Sequence, residues 1–440
     1  MLALRMSRAA RPAVHLRRLL VAAAAGGTGF LLLSALGYAM VHPTHSTAAL
    51  LRLSWCAIPL AATVYLAIAV ARTDPGTRPR PGLSALGLGP GRLMAVAALN
   101  TALACTLGSL LALLVFLHLR GDLTGMPFDG AAKDFLAANR SLPVPAALTL
   151  LAVLPVLASA AVAVTLRPRD LPGPADRAGV YGRFGARLFT AVPRPAAPST
   201  AGRATGTAAP AADVPAGDAT RQAPAGEAPP PAAAPEPTAL GKSPSGLPWG
   251  IAVLAAGLAV ESYAGATPRT TLPGGLAVSP VGVLAGWALT ALGLVLAAPG
   301  LTHLCGRLLQ TLRPGALRLL AGRGLMAEAT RIGRPLGVVC AVASAGFAAL
   351  TLYDDGDALA LGPLTTLGGV VVAGCALATL LTAAVEARQS RADTTAALLR
   401  LGAPATALRS AAALRTGALL AFFAPPTLLV ADLAALPLSR

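Results

Sequence analysis

The sequence predicts an all-α, polytopic membrane protein of about nine transmembrane helices arranged in two related halves. Three observations carry that prediction. Apolar runs longer than the roughly 18 residues a helix needs to cross a bilayer recur along the chain. Arginines gather in alternate connections between those runs, the bias that orients helices in a membrane. One stretch of sequence also occurs twice, once in each half.

Composition points the same way. Hydrophobic residues make up 55% and charged residues 12% of the chain, where globular proteins average about a quarter charged. No segment alternates with the period of two that a membrane β-barrel requires. The net charge of +17 would suggest a nucleic-acid partner in a soluble protein. Here the arginines sit in short loops between apolar spans, so no nucleic acid is expected. The cysteines, Cys56, Cys105, Cys305, Cys340 and Cys375, lie in or at the ends of spans without paired metal spacing, and read as small buried packing residues.

Arg5, Arg8, Arg11, Arg17 and Arg18 precede the first apolar run, Leu19 to Val41. That run lacks the short core and cleavage site of a signal peptide, so it reads as a retained helix entered from a cytoplasmic N-terminus. After the turn His42 to Thr47 a second span covers about Ala49 to Ala71, and Arg72, Arg78, Arg80 and Arg92 place the next loop inside. The third span, Leu93 to about Leu117, leads to an external segment, Arg120 to Ser141, in which Asp122, Asp129 and Asp134 balance Arg120, Lys133 and Arg140. A fourth, Pro143 to Leu166, returns at Arg167 and Arg169. Tyr181, Phe184, Leu188 and Val192 then recur at helical spacing opposite Arg177, Arg183 and Arg187, which fits a helix lying on an anionic leaflet or a disordered continuation of the adjoining linker. From Pro193 to Gly246 the chain is Ala, Pro, Gly and Thr with few charges, a disordered linker that cannot bury enough apolar surface to order itself. Within it, Leu240 to Ser243 reads LGKS but is no phosphate loop, because the first glycine of that motif would fall on Glu236.

The second half opens with a short span, Pro248 to Ala264, carrying Glu261, and a longer one, Val278 to Leu304. Arg307, Arg313, Arg318, Arg323, Arg331 and Arg334 mark the inside again, with Leu317, Leu320, Ala321, Leu325 and Ile332 as the apolar face of a surface helix. Span seven, Pro335 to Tyr353, turns at Asp354, Asp355, Gly356 and Asp357, and span eight, Leu361 to Val385, comes back. A ninth begins near Ala407 with Arg409 and Arg415 snorkelling at its inner end. Pro425-Pro426 interrupts it, so it either crosses with a kink or folds back as a re-entrant hairpin. Glu261 and Asp432 are the acidic residues nearest membrane depth. Both sit toward outer span ends, where the choice is interfacial placement or contact with a substrate or coupling ion.

The duplicated stretch organises these elements. Residues 386–420 read EARQSRADTTAALLRLGAPATALRSAAALRTGALL, and residues 81–104 read PGLSALGLGPGRLMAVAALNTALA. Superposed, Leu83, Leu86, Gly87 and Leu93 fall on Leu398, Leu401, Gly402 and Leu408, and Ala97, Ala98, Leu99 and Thr101 on Ala412, Ala413, Leu414 and Thr416. These are eight identities in nineteen positions. Each copy lies on the inner side, between an inbound and an outbound helix. A short helix joined to two spans can pass a push into the bundle, with Arg388, Arg391 and Arg400 as its charged face and Leu398, Leu401 and Leu408 as its apolar one.

No HExxH, GxSxG, paired-carboxylate or nucleotide-binding pattern appears, so neither an enzyme nor a cofactor site is expected. The order of charged segment, ALLRLGA and small-residue helix resembles the signature loop between the second and third helices of FtsX-like ABC transporter permeases. The layout resembles the long permeases with two such units. Three features depart from them: the short turns at His42 to Thr47 and Asp354 to Asp357 stand where a large external domain is common, the second unit has no fourth helix, and the first copy has Pro75, Pro79 and Pro81 where charged helical residues are usual. The resemblance implies a plasma-membrane permease subunit driven by a separate ATP-binding cassette protein, moving a hydrophobic, lipid-like or peptide substrate, and assembling as a homodimer or larger complex. Arg388, Arg391, Arg400, Leu401 and Gly402, with Leu86 and Gly87 of the first copy, would meet the ATP-binding subunit. The alternative is a structural or regulatory membrane protein that keeps the fold without transport. The expected divisions are a cytoplasmic N-terminus (1–18), a four-helix unit (19–166), an amphipathic segment (167–192), the linker (193–246), two helices (247–304), a second amphipathic segment (305–334) and a partial second unit (335–440).

Overall fold

In a bilayer, backbone polar groups must be satisfied within the chain, and an apolar sequence without period-two alternation can do so only as helix. A computed structural model describes residues 12–74, 90–123, 130–133, 136, 138, 140–167, 246–265, 280–311, 315–354 and 362–435. These are about 90% helical with no strand among them, and nine of their helices are long and apolar enough to cross a membrane. The chain is an all-α polytopic membrane protein. Residues 1–11, the loop carrying Leu86 and Gly87, the segment 168–192, the linker to residue 245 and Asp355 to Asp357 lie outside the described residues.

Helices α1 (Pro12–Val41), α2 (Ser46–Trp55) and α3 (Ala57–Thr73) open the chain. The last two form one span, interrupted at Cys56 just ahead of Pro59, whose missing N–H removes a rung of the helix ladder. Helices α4 (Pro90–Arg120) and α5 (Val144–Thr165) complete the first half. The second half holds α6 (Gly246–Gly265), α7 (Pro280–Thr311), α8 (Ala316–Ala327), α9 (Ala329–Asp354), α10 (Pro363–Ser390), α11 (Ala392–Arg400) and α12 (Ala405–Ala435). Helix α12 runs unbroken through Pro425-Pro426, so the last span crosses and does not fold back.

Lipid tails are as apolar as leucine, so these helices associate through close packing and polar contacts. Glycine supplies the closeness. A Cβ placed on Gly108 of α4 would lie 2.2 Å from the Ala22 carbonyl oxygen of α1, and one on Gly26 would lie 3.3 Å from the Gly108 carbonyl oxygen. Helices α6 and α7 meet along a longer seam. Gly250 and Gly257 on one, and Gly286, Gly293 and Gly300 on the other, recur at heptad spacing. Cβ atoms there would stand 2.4 Å from the Ala297 nitrogen and 2.5 Å from the Thr290 and Leu254 nitrogens. Gly333 and Gly337 bring α9 against Pro299 and Ala298 of α7 in the same way.

Helix α10 belongs to the second half in sequence but packs on α3 and α1 of the first as well as on α9. Thr28 and Thr63 share a hydrogen bond of 2.9 Å between α1 and α3, and the Thr63 hydroxyl lies 3.8 Å from the Cys375 sulfur of α10. Such interhelical bonds are worth about 0.6 kcal/mol each in a membrane. All five cysteines are buried and free.

The halves also correspond in register. The superposition that matches the repeats puts Pro90 on Ala405 and Arg120 on Ala435, so α4 and α12 begin and end at equivalent positions, each 31 residues long. In each half, an arginine near the start of one span holds a carboxylate at the end of the next: Arg18 to Asp74 at 2.7 Å and Arg331 to Glu386 at 3.5 Å. The segment between α4 and α5 is, where described, less open than its balanced charges imply. Arg120 is only 3% exposed, donates to the Arg140 carbonyl and lies 3.3 Å from Asp122, while Leu136 joins a core of Leu33, Phe116 and Leu151.

Since the Ala22 carbonyl is main chain and cannot swing aside, Gly108→Ala is expected to cost about 1–3 kcal/mol. Gly417→Ala, on a helix face with nothing within 4 Å, is expected to be neutral or to stabilise by about 0.5–1 kcal/mol. Thermal unfolding followed with a thiol-reactive dye reads both, because unfolding uncovers the buried cysteines.

Candidate functional site: a braced elbow

The second copy of the repeat forms the end of α10, all of α11 and the start of α12. Helix α11 carries Asp393 in its first turn and Arg400 in its last, the arrangement the helix dipole favours. It ends where the sequence LGAP dictates. Gly402 adopts φ 85, a left-handed conformation that side-chain-bearing residues enter only at a cost. The Ala403 N–H then donates to the Leu398 carbonyl at 3.0 Å and the Gly402 N–H to Leu399 at 3.1 Å. This pair of bonds is the Schellman closure, and Pro404 prevents the helix from continuing. The glycine shared by both copies therefore has a backbone role at this site.

Arg391, at the junction of α10 and α11, gives both arms of its guanidinium to the two carboxylate oxygens of Glu328, which caps the end of α8. The planar fork matches the carboxylate, so the contact fixes direction as well as distance. Nearby, Arg331 of α9 holds Glu386 of α10, and Arg415 of α12 reaches the Leu320 carbonyl of α8 at 3.2 Å. Gly324 leaves room for that guanidinium, since a Cβ there would stand 2.6 Å from its central carbon. Glu328, Arg331, Glu386, Arg391 and Arg415 thus brace two elbows, α8–α9 and α10–α11–α12, against one another.

The expected contact residues divide between two roles. Arg391 belongs to the internal brace. Arg388, Arg400, Leu401 and Gly402 face outward, with Leu401 at 84% exposure and Leu399 beside it also exposed, and no residue of α11 is buried. Leu86 and Gly87 lie outside the described residues. The acidic pair separates as well: Asp432 is exposed on α12, whereas Glu261 is 2% exposed on α6, with neither carboxylate oxygen hydrogen-bonded among the described residues. Glu328 is the member of the brace that the sequence does not single out. It stands 63 residues from its partner, and its only local signal is a carboxylate within an otherwise arginine-rich stretch.

Removing Glu328 frees Arg391 at a partly exposed site, so Glu328→Ala is expected to lower the stability of the elbow by roughly 1 kcal/mol. Amide hydrogen exchange in residues 391–404 should then quicken by about five-fold. Gly402→Ala should quicken exchange in the same residues through the strained turn, whereas exchange in α6 and α7 should be unchanged in both variants.

Comparison with protein-family models, with curated proteins and with solved structures yields no match for the chain.

Proposed function

We propose that the chain is the membrane-spanning subunit of a transport system powered by a separate ATP-binding cassette protein, seated in the plasma membrane with its N-terminus in the cytoplasm. The observation that carries this reading is α11. It buries no side chain of its own, yet it is closed onto the 31-residue α12 by main-chain bonds and tied through Arg391 to the α8–α9 junction. A surface helix held at both ends moves with the helices it joins. A force applied to Leu399, Arg400 and Leu401 would reach α10, and α10 packs on α1 and α3 of the other half. The resemblance of ALLRLGA and its surroundings to the FtsX-like permease loop supports the same reading. It also implies a hydrophobic, lipid-like or peptide substrate.

The experiment is co-purification of the full chain with candidate ATP-binding cassette proteins, those encoded by neighbouring genes first. Association is expected to fall at least ten-fold on combined reversal of Arg388 and Arg400 to Glu, with the unfolding temperature unchanged because both side chains are exposed. A chain that binds no such protein, or binds it equally well after reversal, overturns the reading and leaves the non-transporting scaffold.

A further inference from the structure

We propose that Glu261 is a proton-binding site built into the α6–α7 seam, neutral while the seam is closed and ionised only when the two helices part. The proposal is independent of the transport reading. Its basis is geometric. Glu261 falls within a turn of the end of its membrane span, at the side away from the arginine-rich connections, yet it is turned inward and 2% exposed. Its Cγ packs where Gly286 of α7 has no side chain, at 2.5 Å from the position a Cβ would take. Among the described residues neither carboxylate oxygen has a hydrogen-bond partner, and the buried Thr290 hydroxyl and Trp287 indole N–H on the facing helix are unpartnered too.

An ionised carboxylate in that position would be an isolated charge in an apolar seam, a state that proteins avoid by neutralising the group. Among the described residues no countercharge is at hand. The outer turns of α7 that face Glu261 present Gly282, Gly286, Trp287 and Thr290, none of which titrates near neutrality. Helix α12, which also touches α6, carries Asp432 as the one ionisable group of its second half, and that residue is exposed. Tyr263 on α6 itself is also exposed. The seam is closed on both sides of the carboxyl, since a Cβ on Gly257 would meet the Thr290 hydroxyl at 2.5 Å and one on Gly282 would meet the Ala264 Cβ at 2.7 Å. A proton is the cation that such a seam accommodates, because it occupies no volume of its own. Separation of α6 from α7 would let water reach the carboxyl, take the proton and leave a carboxylate, which then resists reclosure.

Infrared spectroscopy of the full chain in lipid nanodiscs tests this. A carbonyl stretch of a protonated carboxylic acid is expected at neutral pH. It should shift on glutamate-specific carbon-13 labelling, vanish in Glu261→Gln and persist in Asp432→Asn. The isotope measurement requires no substitution, so it stands even if a variant fails to fold, and Glu328 and Glu386 do not confuse it because both are paired with arginine. A second arm follows thermal unfolding against pH. Because the closed state holds a proton that the opened state releases, the native chain should lose stability as the pH rises from about 4.3, the ordinary glutamate value, to the pH at which the closed carboxyl itself ionises, while Glu261→Gln should lose less over that range. Absence of any label-shifted acid band at neutral pH, or the same band and pH profile in Glu261→Gln, overturns the proposal.

Discussion

Close approach of helix backbones at glycine is the constraint on which this structure depends. In water, burying apolar surface would hold such helices together, but in lipid that force disappears and packing distance takes its place. The α1–α4 crossing at Gly26 and Gly108 and the α6–α7 seam at Gly250, Gly257, Gly286 and Gly293 bring main chain against main chain. Everything else is positioned from those contacts. Helices α1, α3, α4, α5 and α10 share one core, with Ala25, Leu66, Cys105, Leu154 and Cys375 in it, and the seam fixes Glu261 against bare backbone. Where glycine does not mediate a contact, as along much of α12, the helix leaves a large share of its apolar surface outward.

Polar contacts refine what the glycines permit, and they do so at two depths. At mid-span, Thr28, Thr63 and Cys375 link α1, α3 and α10 with short side chains that lose little conformational freedom. At the arginine-bearing ends, full charges take over. Arg18 with Asp74 and Arg331 with Glu386 tie the start of one span to the end of the next, and Arg391 with Glu328 ties two helix junctions to each other. The division follows from dielectric cost, since a charge pair that loses its geometry is far more damaging in hydrocarbon than at the water margin.

How much of this the sequence disclosed depended on the range of the interaction. Spans could be read because their signal is local, a run of apolar residues of sufficient length. The turn at Gly402 escapes the sequence reading, which lays one helix face across Arg388 to Leu408; the structure divides that stretch, with Arg388 on α10, Leu398 on α11 and Leu408 on α12. The fate of Pro425-Pro426 could not be decided, because a proline pair in a membrane helix breaks it or not according to what its neighbours supply. Arg391 read as surface charge like Arg388 and Arg400, and only the fold brings it to Glu328. Glu261 was visible as an acidic residue in an apolar run, but its inward direction depends on Gly286 lying opposite, and antiparallel register between two helices is a long-range fact. The exact correspondence of α4 with α12 was implicit in the repeat, though the identities stop well before the helices do.

The turn between α11 and α12 is closed by main-chain hydrogen bonds and one left-handed glycine, without any side chain of α11 taking part. The angle of the elbow is therefore independent of what α11 displays on its surface. Its exposed residues can be exchanged through evolution, or by engineering, to suit a different binding surface while the hinge geometry stays fixed, so recognition and leverage at this site are separable traits.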